Sequence, residues 1–233
     1  MDERLFGRLG EWLAHGPVVV ATVLQTRGAT PRKGGSRMLV TAASQSFSIG
    51  GGEAEARVIA AARRLLADNG DRAPVEIDLS GRPDAAGVCG GSMQLALRRW
   101  SGPTDRERAE TIFRQLRAGN TVTLGETDIG HAGATSRTRP DERLLIAGGG
   151  HCGVALYEMA RHLDFDIWIF DPRDACFADG DFRDAHVLSG DYVQLATALD
   201  TTRPVYAVLL NRDFPTDVAT LEVLASKPPH SLA

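Results

Sequence analysis

The stretch LLIAGGGHCGVAL, residues 144–156, admits few folds. An apolar, strand-like run enters Gly148-x-Gly150-x-x-Gly153, and a helical pattern leaves it. Glycines at that spacing permit a tight turn and a close approach, while the unsatisfied N–H groups at the helix start attract a pyrophosphate. Asp171 closes the next apolar run about 20 residues on, where a carboxylate accepts hydrogen bonds from a ribose. Arg173 suits a 2′-phosphate instead, so NAD and NADP both stay open. Beyond the loop, RLLIAG, GVALYEMARHL, DIWIFD, AHVLSG, YVQLATAL, PVYAVLL and a helical pattern near 216–226 alternate strand and helix. That order predicts a Rossmann-like parallel sheet over residues 143–233. About four strands fit where about six are usual, so the chain is expected to end inside the domain. Cys152 is expected to pack, and His151 to cap the helix or lie on the surface.

The preceding residues follow another plan. Leu5, Phe6, Leu9, Trp12 and Leu13 recur at helical spacing up to the breaker pair Gly16-Pro17. PVVVATVL and SRMLVT read as strands around a basic loop, and SFSIGGG leads into the alanine- and arginine-rich helix EAEARVIAAARRLLADNG. APVEIDL and SMQLALRRW are further strands. Thr104-x-x-Glu107 has the form of a capping box opening a helix to about Arg117, and TVTL follows as a strand. Residues 1–125 are therefore a mixed α/β domain. Residues 126–142 show no hydrophobic period and are expected to be a linker. The fold class is α/β, in two domains.

The formal charge of −4 gives no broad basic footprint, which argues against nucleic acid and anionic membranes as partners. No run of about 18 apolar residues predicts a membrane span, and the acidic start MDERLFGRLGEWLAHG is unlike a secretory signal, so the expected location is the cytoplasm. Cys89, Cys152 and Cys176 stand too far apart in sequence for a C-x2-C metal site or a disulfide framework, which leaves single-cysteine chemistry. Lys33 and Lys227 stand outside any G-x4-G-K-[ST] loop, which disfavours a Walker-type ATPase.

Three stretches of the first domain carry candidate chemistry. In QTRGATPRKGGSR, Arg27, Arg32 and Arg37 can bind phosphate or carboxylate, or can be solvated loop charge. Gly50, Gly51 and Gly52 precede a helix whose first turn holds Glu53 and Glu55; its N–H groups are open to an anion or to local capping by those acids. In GVCGGSM, Cys89 stands beside Gly90 and Gly91, which let a ligand approach the backbone next to a soft sulfur.

Taken in order, these motifs resemble the xanthine dehydrogenase accessory family, XdhC/CoxI, over nearly the whole chain. Thr26, Gly28, Pro31, Arg32, Arg37 and Met38 fill the places of its T-x-G-x-x-P-R loop and following strand; IGGGEAEA, CGG at 89–91, IAGGGHCG and IFDPR follow. The resemblance implies a cytoplasmic homodimer that binds the molybdenum cofactor and supports its sulfuration, with a cysteine desulfurase as a possible sulfur source. It then inserts the cofactor into an apo molybdenum hydroxylase of the xanthine dehydrogenase type. It implies a cofactor-inserting chaperone rather than a turnover enzyme. By that likeness Cys89 is the reactive contact and the metal contact. Arg32, Arg37, Gly51, Gly52, Glu53, Glu55, Gly90 and Gly91 form the cofactor cradle, and Gly148, Gly150, Gly153 and Asp171 an NAD(P) site.

Three departures stand out. Glu53 occupies a place where many members have cysteine, Val88-Cys89 stands where some have two cysteines, and the chain stops at KPPHSLA where members tend to continue. The rival readings are an NAD(P)-dependent oxidoreductase, against which Tyr157 is followed at Tyr-x3-Lys spacing by Arg161, and a dinucleotide-sensing interaction module.

Overall fold

The computed structural model describes residues 2–178 and 181–232. The chain divides into two compact units, residues 2–139 and Pro140 onward.

The first unit comprises α1 (Asp2–Leu13), β1 (Val18–Arg27), β2 (Arg37–Val40), β3 (Gln45–Ser46), α2 (Gly52–Ala67), β4 (Arg72–Leu79), β5 (Gly91–Trp100) and α3 (Gly102–Arg117), then β6 (Val122–Leu124), α4 (Glu126–Ile129) and β7 (Ser136–Thr138). Its sheet has the order β3-β2-β1-β5-β4, with every neighbouring pair antiparallel. Both faces are covered, which explains why Val18–Val23 of β1 is buried throughout and apolar except at Thr22, rather than alternating. Val19, Ala21 and Val23 pack with Val58, Ala62 and Leu65 of α2. Val18 and Val20 pack on the other side with Leu5 and Leu9 of α1 and Ile112 and Leu116 of α3. A bulge between Val23 and Gln25 shifts the register, so that Gln25 stands opposite Gln94.

Residues 126–139 are not a linker. Ile129 of α4 is buried with Leu124 against α1 and α3, and β7 pairs with β6. The helix expected to start at Thr104 begins two residues earlier, with Pro103 in its first turn. Its opening N–H, on Ser101, is accepted by Asp105 rather than by Glu107.

The second unit contains β8 (Glu142–Ala147), α5 (His151–Ala160), β9 (Phe165–Asp171), β10 (His186–Ser189), α6 (Leu195–Leu199), β11 (Val205–Leu209), α7 (Phe214–Ser226) and β12 (Ser231–Leu232). All pairs are parallel, in the order β10-β9-β8-β11-β12, the 3-2-1-4-5 arrangement of a Rossmann sheet. Ile146 and Ile169 face Tyr157 and Ala160 of α5, whereas Leu145 and Phe170 face Leu195 and Leu199 of α6 and Leu224 of α7. The sheet has five strands, one more than the sequence suggests, because β12 is only two exposed residues, Ser231 and Leu232, too few to show a strand pattern.

Candidate functional site

In the first unit, glycine backbones bring the loops after β1, before α2 and before β5 together. A β-carbon on Gly28 would stand 2.8 Å from the Gly90 carbonyl oxygen and 3.1 Å from the Gly91 α-carbon. One on Gly91 would collide with the carbonyl oxygens of Arg27 and Ala29. The two chains therefore touch backbone to backbone, a contact that side chains would hold apart. Gly50 likewise abuts the Pro31 ring.

The loop that carries Cys89 is tied at its base and open at its tip. Gly81 donates to the Gly87 carbonyl at 2.9 Å, Gly90 donates to Leu79 at 2.7 Å, and Arg57 of α2 reaches the Asp84 carbonyl at 3.0 Å. Cys89 is exposed, and the neighbouring Val88 is 87% exposed although apolar. No β-carbon contact surrounds Gly90, Gly51 or Gly52, so open space lies beside the thiol loop and before α2. Arg32 is exposed on the neighbouring loop, where Thr30 donates to its carbonyl.

Other predicted site residues have local employment. Glu55 accepts from Ser48 Oγ at 2.6 Å and from the N–H groups of Ile49 and Gly51, so it caps the turn before α2. Glu53 pairs with Arg57 one helical turn on. Arg37 does not belong to the exposed cradle. It is 1% exposed, donates to Asp2 at 3.2 Å and Ser136 at 2.6 Å, and lies on the α1/α3 side of the sheet with Leu39. Burial lowers its pKa, against the charges of Asp2 and Asp128. Asp128, also buried, takes a bidentate pair of hydrogen bonds from Arg108 and caps α4 through the Gly125 N–H. Burial pushes its carboxyl up, but those bonds and the charges of Arg108 and Arg98 outweigh it and leave it lowered.

Beyond Gln25 and Gln94, the α1/α3 side of the sheet opens into a cavity of about 620 Å3 that is also lined by Gly34, His131 and Arg137. Its far wall belongs to residues 129–137, which show no hydrophobic period, so the sequence gives no sign of it.

In the second unit the three motif glycines have different roles. A β-carbon on Gly148 would strike the Leu210 carbonyl, and one on Gly153 would strike the Gly148 carbonyl. Gly150, which opens α5, faces open space, as the glycine that lets a pyrophosphate approach must. Gly148 also stands against the end of β11, at the point where the strand order reverses.

Asp171 is only 2% exposed and accepts four hydrogen bonds: from the Gly149 N–H at 2.8 Å, and from Arg173 through its backbone N–H, Nε and Nη2 at 2.8–2.9 Å. A carboxylate has about four lone-pair sites, so a ribose hydroxyl finds none free until Arg173 moves. Burial pushes the Asp171 carboxyl up, but the bonds from Arg173 and Gly149 and the Arg173 charge hold it down at about 2. Burial raises the Cys176 thiol, with Asp171 acting in the same sense. Cys152 is exposed rather than packed, because it lies on the outer face of α5's first turn.

Among the described residues, no three His, Cys, Asp or Glu side chains cluster to hold a metal ion, and no helix is long and apolar enough to cross a membrane.

Residues 12–78 match the family model described as the XdhC and CoxI family, and residues 144–232 match the XdhC Rossmann domain. The chain belongs to the XdhC family. A crystal structure described as a xanthine dehydrogenase from Bacillus halodurans has the same fold as this XdhC chain. The TM-score is 0.84 at 21% identity, over 99% of this chain and 80% of that one. No curated protein matches. Membership points to an accessory role in xanthine dehydrogenase maturation and to association with enzymes of that type.

Proposed function

We propose that this XdhC protein receives the molybdenum cofactor, supports its sulfuration, and passes it to an apo molybdenum hydroxylase of the xanthine dehydrogenase type. The observation that carries this reading is the exposed Cys89 thiol on a loop braced at its base, beside glycines whose surroundings are open. When bound, the cofactor supplies the oxygen- and sulfur-transfer chemistry of its metal.

The residues of the chain position and release it. Cys89, as thiolate, offers one soft donor that tolerates molybdenum. The backbone contact of Gly28 with Gly90 and Gly91 holds the Cys89 loop close to the loop bearing Arg32, an exposed guanidinium of the kind that pairs with an anionic group. A single donor holds without trapping, which suits a carrier that must surrender its cargo. Sulfur is expected from a partner such as a cysteine desulfurase, and the working unit is expected to be a homodimer in the cytoplasm. In the second unit, the open Gly150 and the start of α5 favour a dinucleotide pyrophosphate, with Arg173 as the group that yields when a ribose seeks Asp171.

The test is transfer. Cofactor-loaded protein mixed with apo-xanthine dehydrogenase should restore its activity, and Cys89→Ala protein carried through the same loading step should restore little. Equal restoration by both would remove the thiol from the account. Reduction of NAD(P) at the expense of an added alcohol or hydroxy-acid substrate, which is oxidised to the carbonyl compound without any partner enzyme, would favour the oxidoreductase alternative.

A further inference from the structure

The cavity of about 620 Å3 in the first unit falls within the range of small-molecule sites. Its chemistry is uneven. No Asp or Glu lines it, whereas Arg137 and His131 stand on one wall and Gln25 and Gln94 on another.

The two glutamines are directly opposed across β1 and β5, so their carboxamides project from the same face. Among the described residues Gln25 has no side-chain partner, and Gln94 uses one N–H on Glu76 at 3.3 Å, which leaves its oxygen and second N–H unused. The side chains of His131 and Arg137 likewise have no partner among the described residues. Ser136 also lines the cavity; its hydroxyl accepts from the buried Arg37 guanidinium, whose Nε is itself without a hydrogen bond. A buried cation therefore lies directly behind the wall.

Paired carboxamides match the alternating donors and acceptors of an amide-edged heterocycle, and an acid-free wall with a free guanidinium matches an anionic substituent. Along the same strands, Arg27 and Ser92 form the next pair on this face. They lead to Gly28 and Gly91, and so to the Cys89 loop.

From this we infer that the cavity seats the organic half of the cofactor, a pterin-class heterocycle bearing an anionic group. Gln25 and Gln94 read the ring edge, and His131 and Arg137 receive the anion. The inference rests on the cofactor-carrier function proposed above, and it names the place where the ligand is recognised independently of its metal.

The probe is pterin-6-carboxylate, a fluorescent heterocycle with an amide edge and an anionic group but no metal. Titrated against the full chain, it should bind saturably. Gln25→Ala and Arg137→Gln should each weaken binding by about tenfold or more, while Cys152→Ala, an exposed thiol of the second unit, leaves it unchanged. Both substituted side chains are exposed, so matching thermal melts will show that the variants fold.

Absence of binding to wild type, or equal binding by the two cavity variants, overturns the cavity assignment and leaves the thiol reading standing. Inorganic phosphate competing as strongly as the pterin also overturns it, since the site is then a simple anion site. Pterin binding that depends on Gln25 and Arg137, in a protein that retains no molybdenum cofactor, supports the cavity and removes the carrier function.

Discussion

Arg173 closes on Asp171 with three N–H groups, two from the guanidinium and one from the backbone, while the Gly149 N–H takes the remaining position on the carboxylate. The acid that a Rossmann fold offers to a ribose is here turned inward, tying the end of β9 to the glycine loop. Arg173 is 49% exposed, so this closure is a latch on the surface rather than a fixture of the core.

Acid should loosen the second unit in a defined window. The folded Asp171 carboxyl lies at about 2 against an ordinary 3.8, so it contributes stability that is fully present above the ordinary value and is lost as pH falls through the folded one. The contribution is about 2 kcal/mol. Urea unfolding should show wild type more stable than Asp171→Asn at pH 6, with the gap closing between about pH 4 and pH 2.

Releasing the latch should expose the ribose site. Arg173→Ala leaves Asp171 bonded to two backbone N–H groups and frees lone pairs for a 2′-hydroxyl. One hydrogen bond to a charged group corresponds to about a tenfold gain. Calorimetric titration should find NAD binding more tightly to the variant than to wild type, with no comparable gain for NADP. Unchanged or weaker NAD binding would mean that Asp171 serves only the loop.

Gly91→Ala should strain the junction between the thiol loop and the loop after β1, because its β-carbon meets two carbonyl oxygens that belong to backbone and cannot swing aside. Overpacking of this kind costs about 1–3 kcal/mol. The first unit's melting temperature should fall by roughly 3–10 °C. Gly90→Ala supplies a contrast: nothing lies within 4 Å of its β-carbon, but its φ of 86° penalises alanine through backbone conformation alone. Its loss should be the smaller of the two.

The Rossmann unit was legible because its determinants are local: glycine spacing, a strand before it, a helix after it, and Asp171 at the next strand end. The α2 layer was legible for the same reason, with Val58, Ala62 and Leu65 on one helical stripe. What sequence concealed depends on distant partners. Arg37 reads as a cradle residue or as loop charge because its hydrogen-bond partners Asp2 and Ser136 lie 35 and 99 residues away. Residues 126–139 read as a linker because α4 and β7 are too short to display a period, although Ile129 anchors them in the core. The cavity wall was lost with them. Asp171 was found as an acid in the right place, but its occupation by Arg173 is a matter of side-chain geometry that spacing does not encode.

If one exposed sulfur holds a borrowed metal centre, its removal must empty the protein of molybdenum. Purified protein can be incubated with molybdenum cofactor under anaerobic conditions and passed through a desalting column, and the molybdenum that travels with the chain measured. Wild type and Cys152→Ala should both retain it at near-stoichiometric levels, while Cys89→Ala emerges nearly free of it. Equal retention by wild type and Cys89→Ala would contradict the account.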